Sequence, residues 1–273
     1  MSPPWVRDIR FHPAPRPLSQ VNEVVLHATV GTTLEGAVRV LKTRKDRETG
    51  VLLKLSTHLI IDEHGVAHLT AEFDTRARHC GAHNGQSVGI DIVTPYYPKG
   101  GQAPAPWGRV IAAPWADDGA DEVHDYVLPT LAQMSTLVDV LRYLTGPGGA
   151  IPCPATFVGA VGGRFRMGLL SDAAKLRPGI WSHQHAGTHA DGSWPALVAY
   201  LAMEQGMAVE DAYETAARLA TGARGWVTLP SPSMVLASPV CPTCHQPMPG
   251  VRFPGPHAAA AGGGVGVHRE VVA

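Results

Sequence analysis

Three histidines and an aspartate, His183, His185, His189 and Asp191, crowd into residues 180–194, which read IWSHQHAGTHADGSW. Imidazole nitrogen and carboxylate oxygen are the ligands zinc takes in catalytic sites, where three protein groups leave one position for water. Histidine and aspartate are poor core residues, so packing alone does not explain the cluster. The bland alternative is a polar, His-rich surface loop. Either His183 or His185 could be the ligand, since both lie in the same loop. Upstream, His27 follows the apolar run Val24-Val25-Leu26, and Asp91 interrupts the apolar stretch SVGIDIV. An aspartate there is costly to bury uncompensated, so it marks a polar cleft or an edge. A second feature is Cys241-Pro-Thr-Cys244, half of a possible structural zinc site that His257, His268 or a second subunit would complete. An unliganded thiol pair is the alternative reading.

Elements that would position these groups follow from periodicity. Residues 1–20 hold five prolines and read as an extended arm. The run ending in His27 reads as a buried strand with a histidine at its C-terminal end. Thr32 or Thr33 can cap a helix from Leu34 to about Lys45. Residues 56–69 carry two apolar stretches around a glycine turn, a hairpin signal. SVGIDIV alternates, placing Val88, Ile90 and Ile92 on one face and Gly89, Asp91 and Val93 on the other. Residues 94–128 are rich in Pro, Gly and Trp without periodicity and read as a surface insertion. Leu131 to Leu144 has an amphipathic repeat stopped by Gly146-Pro147. Two more helices are expected, from Pro195 to Gln205 and from Val209 to Ala220. Beyond Gly225 the chain reads as loop, and its end is an Ala/Gly-rich tail.

The 273 residues suit one large domain with a small appendage. A formal net charge of -1 gives no electrostatic case for nucleic acid or an acidic membrane surface. No apolar run approaches the roughly 18 residues a membrane span needs. The first residues, MSPPWVRDIRFHPAPRP, lack the apolar core of a secretory signal. The expectation is synthesis in the cytoplasm, with any work outside needing another exit.

In combination, VVLHAT, STHLIIDEHG, RHCGAHNGQSVGIDIV and HQHAGTHADG resemble the motifs of the zinc-dependent N-acetylmuramoyl-L-alanine amidases, a superfamily that includes the peptidoglycan recognition proteins. The resemblance spans about residues 20–203. It implies an α/β fold with a mixed central β-sheet flanked by helices. The division would be an arm over 1–20, the amidase domain over 21–205 with its insertion at 94–128, and a C-terminal extension over 206–273. It further implies zinc held by His27, His183 and Asp191, and His58, His79 and Asn84 beside the substrate. Asp91 stands where the family has a catalytic glutamate and His189 where it has a catalytic lysine. Aspartate is a methylene shorter than glutamate, and histidine changes charge around neutral pH where lysine does not. Gly192-Ser193 replaces the usual Pro-Gly.

The activity implied is hydrolysis of the amide between muramic acid and L-alanine in peptidoglycan or muropeptides. Three settings fit: a phage lysin released at lysis, an exported antibacterial effector and a cytoplasmic recycling enzyme. A wall hydrolase with a C-terminal appendage suits the lysin, which would act on the cell wall after lysis or export, an antimicrobial use. Rival readings are a non-catalytic peptidoglycan-binding module and a zinc hydrolase of another amide.

Overall fold

The sheet at the centre of the computed structural model has five strands, four of them parallel. Residues 3–98, 103–113, 124–170, 176–187 and 191–231 are described. The described residues belong to one unit, Met1–Val235. His189 lies outside them, as do Cys241, Cys244, His257 and His268.

The arm supplies a short strand β1 (Ala14–Pro15), and β2 (Glu23–Val30) carries EVVLHATV through the interior. Thr33 caps α1 (Leu34–Thr43) by accepting from the Gly36 N–H. The expected hairpin forms from β3 (Leu59–Ile61) and β4 (Ala67–Leu69), and β5 (Thr75–Arg76) pairs back onto β1. A 3-10 turn at Gly81–Gly85 leads into β6 (Ser87–Thr94), which is buried along its whole length. β7 (Val110–Ala113) and β8 (His124–Val127) then pair antiparallel. Helix α2 (Leu131–Leu144) opens with a full capping box between Thr130 and Gln133. After β9 (Ala160–Val161) and β10 (Arg164–Arg166), β11 (Gly179–Ser182) runs straight into the short helix α3 (His183–Ala186). Helices α4 (Ser193–Met203) and α5 (Val209–Ala220) follow, and β12 (Trp226–Thr228) closes a small sheet with β10 and β9.

The central sheet has the order β11-β2-β6-β3-β4, with an antiparallel pair only at the β3–β4 edge. Its two faces differ. One carries Val24, Leu26, Ile90, Ile92, Leu59 and Ile180 into a single large core with α2, α4 and α5. The other holds two small apolar patches. Val25, Cys80, Val158, Leu170 and Trp181 make one; Ala37, Ile60, Val93, Trp107 and Val127 make the second, under α1. Between these patches the same face carries His27 and Asp91, so this is where the sheet turns polar.

Two regions depart from the sequence expectation. Residues 94–128 are not simply a surface excursion: Trp107, Ile111, Tyr126 and Leu128 are buried, and the β7–β8 pair supplies part of both cores. Aromatic anchors at irregular spacing escape a periodicity search, and here Trp107 Nε1 donates to the buried Gln133 at 3.2 Å. Past Gly225, β12 forms where loop was expected. Its Trp226 is held under the Arg164 and Arg166 guanidiniums, an interaction with no local sequence signature.

Candidate metal centre and its surroundings

Parallel register builds the site. His27 pairs with Asp91, and Ser182 pairs with Leu26, so one more step along β11 brings His183 level with His27. Three adjacent strands thus deliver His183, His27 and Asp91 in one row on the polar gap of the sheet. Asp191 stands just before α4, and its backbone carbonyl accepts from the Gln184 N–H at 3.0 Å. Gly192 sets the backbone between Asp191 and α4. It sits at φ 83°, and a Cβ there would lie 2.1 Å from the Leu26 carbonyl oxygen. Gly192 is therefore fixed by contact with β2, the strand that carries His27.

One ligand atom each from His27, His183 and Asp191 lies within 4.8 Å of the others. His183 Nδ1 meets Asp191 Oδ1 at 2.8 Å, and the His27 and His183 rings are 4.4 Å apart. The backbone N–H of Ala28 reaches the second Asp191 oxygen at 3.4 Å. Burial opposes charge on His183, but the Asp191 charge and hydrogen bond outweigh it and raise the pKa to about 10. Two imidazoles and a carboxylate converging over this span fit the donor set and the roughly 2 Å bond lengths of a catalytic zinc site.

His185 is not part of the cluster. It is fully buried, accepts the Ser182 N–H on Nδ1 at 3.3 Å and presents Nε2 to the Arg166 carbonyl at 2.7 Å. Its backbone N–H donates to Ser182 Oγ, completing a capping box for α3. Of the two histidines left open by the sequence, His183 faces His27 and His185 locks the helix that turns it there.

Asp91 is only 6% exposed, and among the described residues nothing hydrogen-bonds its carboxylate. Burial, with the Asp191 charge adding and His183 opposing, lifts its pKa to about 7. That is the range in which a carboxyl can both take and return a proton at neutral pH.

The three residues expected beside the substrate make their side-chain hydrogen bonds within the protein. His58 is fully buried: Nδ1 accepts the Gly89 N–H at 3.0 Å and Nε2 donates to the Thr75 carbonyl at 3.0 Å. Both ring nitrogens are committed inside the fold, so His58 braces β6 and has no atom to offer a ligand. Asn84 uses Oδ1 to accept from the backbone N–H groups of His79 at 2.9 Å and Cys80 at 2.7 Å. It shapes the loop rather than facing outward. His79 turns inward, its Nδ1 2.9 Å from His27 Nε2. The sequence could not separate these roles, because a polar residue in a polar loop reads the same whether it faces solvent or backbone.

Three residues near the centre escaped the sequence reading. Ser87 bridges His79 Nε2 and the His83 carbonyl. The buried Cys80 thiol lies close enough to His183 to help raise the pKa of that ring. Tyr126 has its hydroxyl pKa raised by burial first and by the Asp191 charge next, which puts it within electrostatic reach of the cluster. Only Ser87 had a local signal, as the first residue of the strand bearing Asp91.

The family described as N-acetylmuramoyl-L-alanine amidase matches residues 17–193, well over half the chain. Among solved structures, the chain is similar to the endolysin N-acetylmuramoyl-L-alanine amidase LysCS from Clostridium intestinale. The two are 16% identical with a TM-score of 0.34, over 53% of this chain and 74% of that one. It is also similar to an AmpD derivative, at 20% identity and a TM-score of 0.33, covering 50% and 72%. The Drosophila peptidoglycan recognition protein SA is 20% identical with a TM-score of 0.28, covering 48% and 61%. No curated protein sequence matches significantly. Among the described residues no helix is long and apolar enough to cross a membrane.

Proposed function

The chain belongs to the N-acetylmuramoyl-L-alanine amidase family, and on that premise we propose that it is a zinc-dependent hydrolase of the amide between N-acetylmuramic acid and L-alanine. The observation that carries the reading is the convergence of His27, His183 and Asp191 within 4.8 Å. Held by these three groups, zinc supplies Lewis-acid chemistry, acidifying water and polarising a carbonyl.

The residues around it divide the remaining work. Asp91, with a pKa near 7 in the metal-free protein, takes a proton from water as its oxygen attacks the amide carbon. The same carboxyl then returns that proton to the nitrogen as the C–N bond breaks. The products are the lactyl carboxyl group, which holds the second water proton until it ionises, and the free amino group of the stem peptide. The apolar patches flanking Asp91 on the same face, with Val25 and Trp181 on one side and Ile60 and Trp107 on the other, keep bulk water from its carboxyl.

The test is cleavage of purified sacculi and of soluble muropeptides, with metal content, for the wild type and Asp191→Asn. About one zinc per chain and release of free stem peptides, both lost in the variant, is the expected result. Activity on sacculi supports a lysin acting on the wall, and activity confined to soluble fragments removes that role. Zinc retained without any cleavage would overturn the hydrolase reading in favour of recognition alone.

A further inference from the structure

Behind His27 runs a chain of hydrogen bonds whose direction is fixed at its far end. Ser87 Oγ lies 2.7 Å from the His83 carbonyl, which can only accept, so the serine proton is committed there. Ser87 Oγ is therefore an acceptor toward His79 Nε2 at 3.1 Å, and His79 carries its proton on Nε2. Among the described residues no carboxylate hydrogen-bonds His79, so the ring is neutral and its Nδ1 is a bare lone pair. That lone pair faces His27 Nε2 at 2.9 Å. His27 must then hold its proton on Nε2.

We propose that His79 is a positioning residue that fixes the tautomer and ring orientation of His27, so that Nδ1 is the atom His27 presents to the metal. The inference rests on the metal reading above. Two contacts keep His79 in place, and one of them is itself braced. Its ring lies against Gly89, where a Cβ would come within 2.8 Å of it. Its backbone N–H is held by Asn84 Oδ1, and Gly89 is itself tied on both sides by His58, through the Gly89 N–H to His58 Nδ1 and the His58 N–H to the Gly89 carbonyl. The residues expected to touch substrate are, in this reading, the frame of a metal ligand. Outer partners of this kind change metal affinity by about 10–100-fold when removed.

The experiment uses the full chain. Imidazole nitrogen NMR on the metal-free protein reports which His27 nitrogen is protonated, and competition with a chromogenic chelator reports zinc affinity. The wild type is expected to show His27 protonated on Nε2. His79→Phe and the milder Ser87→Ala should lose that preference, and His79→Phe should bind zinc about 10–100-fold more weakly. His79→Asn, whose Oδ1 can accept where Nδ1 did, should recover most of the affinity. If His27→Ala abolishes zinc binding while His79→Phe and Ser87→Ala keep the wild-type tautomer and affinity, the relay is wrong and the metal reading stands. If His27→Ala binds zinc as the wild type does, the metal reading itself falls.

Discussion

Among the described residues, two groupings of histidine with carboxylates do opposite things. At one, His68 lies between Asp8 and Asp62, with Nδ1 2.9 Å from the first and Nε2 3.1 Å from the second. Each ring nitrogen has a carboxylate of its own, so the group ties the arm to the β3–β4 hairpin, where Val6 also bridges to His68. At the other, His27, His183 and Asp191 turn their ligand atoms toward a common point. Residue types are shared; convergence is not. A ring whose two nitrogens are satisfied by different partners is a strut, and rings aimed at one another invite an ion.

Breaking each cluster should separate them most sharply. His27→Ala is expected to remove both zinc and amide cleavage to the limit of detection, whereas His68→Ala keeps one zinc per chain and activity within a few-fold. Metal analysis and muropeptide release on both variants check this.

Next in size is Asp91→Asn, which keeps the shape beside the converging groups and removes the proton carrier. Its kcat should fall by about 10²–10⁴ with zinc content unchanged. Metal loss in that variant would place Asp91 among the ligands instead.

Acid should discriminate between buried rings. Burial keeps His58 and His185 neutral, with pKa values lowered to about 3 and about 4. Each binds a proton more readily unfolded, so their contribution is complete above about pH 6.5 and is lost as pH falls toward those values. The slope is up to about 1.4 kcal/mol per pH unit for each ring. His68 behaves in the reverse sense. Burial opposes its charge, but Asp8 and Asp62 prevail and raise its pKa, so its contribution is present below about pH 6.5 and fades as pH rises through the folded value. Denaturant unfolding at several pH values should show His58→Gln flattening the acid limb. A wild-type stability independent of pH between 6.5 and 4 would contradict this.

The smallest effect is on the strut. His68→Ala should cost about 1–2 kcal/mol, since Asp62 is buried with it but Asp8 is half exposed and its share is screened. That cost should shrink at alkaline pH, which urea midpoints at two pH values would show.

How much of this was legible beforehand follows the range of the forces involved. Strand and helix periodicity located β2, β6, α2 and α5, and the parallel sheet then aligned His27, Asp91 and His183 across more than 150 residues of chain. Such alignment depends on alternation, which a sequence displays. The choice between His183 and His185 depended on which one caps α3, and capping needs the backbone. His58, His79 and Asn84 were expected beside the substrate, and their side-chain hydrogen bonds run to other groups inside the protein. The β7–β8 pair was hidden because Trp107 and Tyr126 anchor it without any repeat.

Arg16 has a bearing on where this protein can be cut. Its guanidinium, with a pKa lowered to about 10 chiefly by burial, donates to the carbonyls of Phe73, Asn84 and Ser87 at 3.2, 3.1 and 2.8 Å. Two of those carbonyls belong to the residues that hold His79. The family match begins at residue 17, one position after this side chain. A boundary drawn by homology would therefore saw off the peg on which the histidine frame hangs, leaving carbonyls in the interior with no donor. Shortened versions intended for expression, fusion or grafting onto other domains should keep the arm, however dispensable its prolines look.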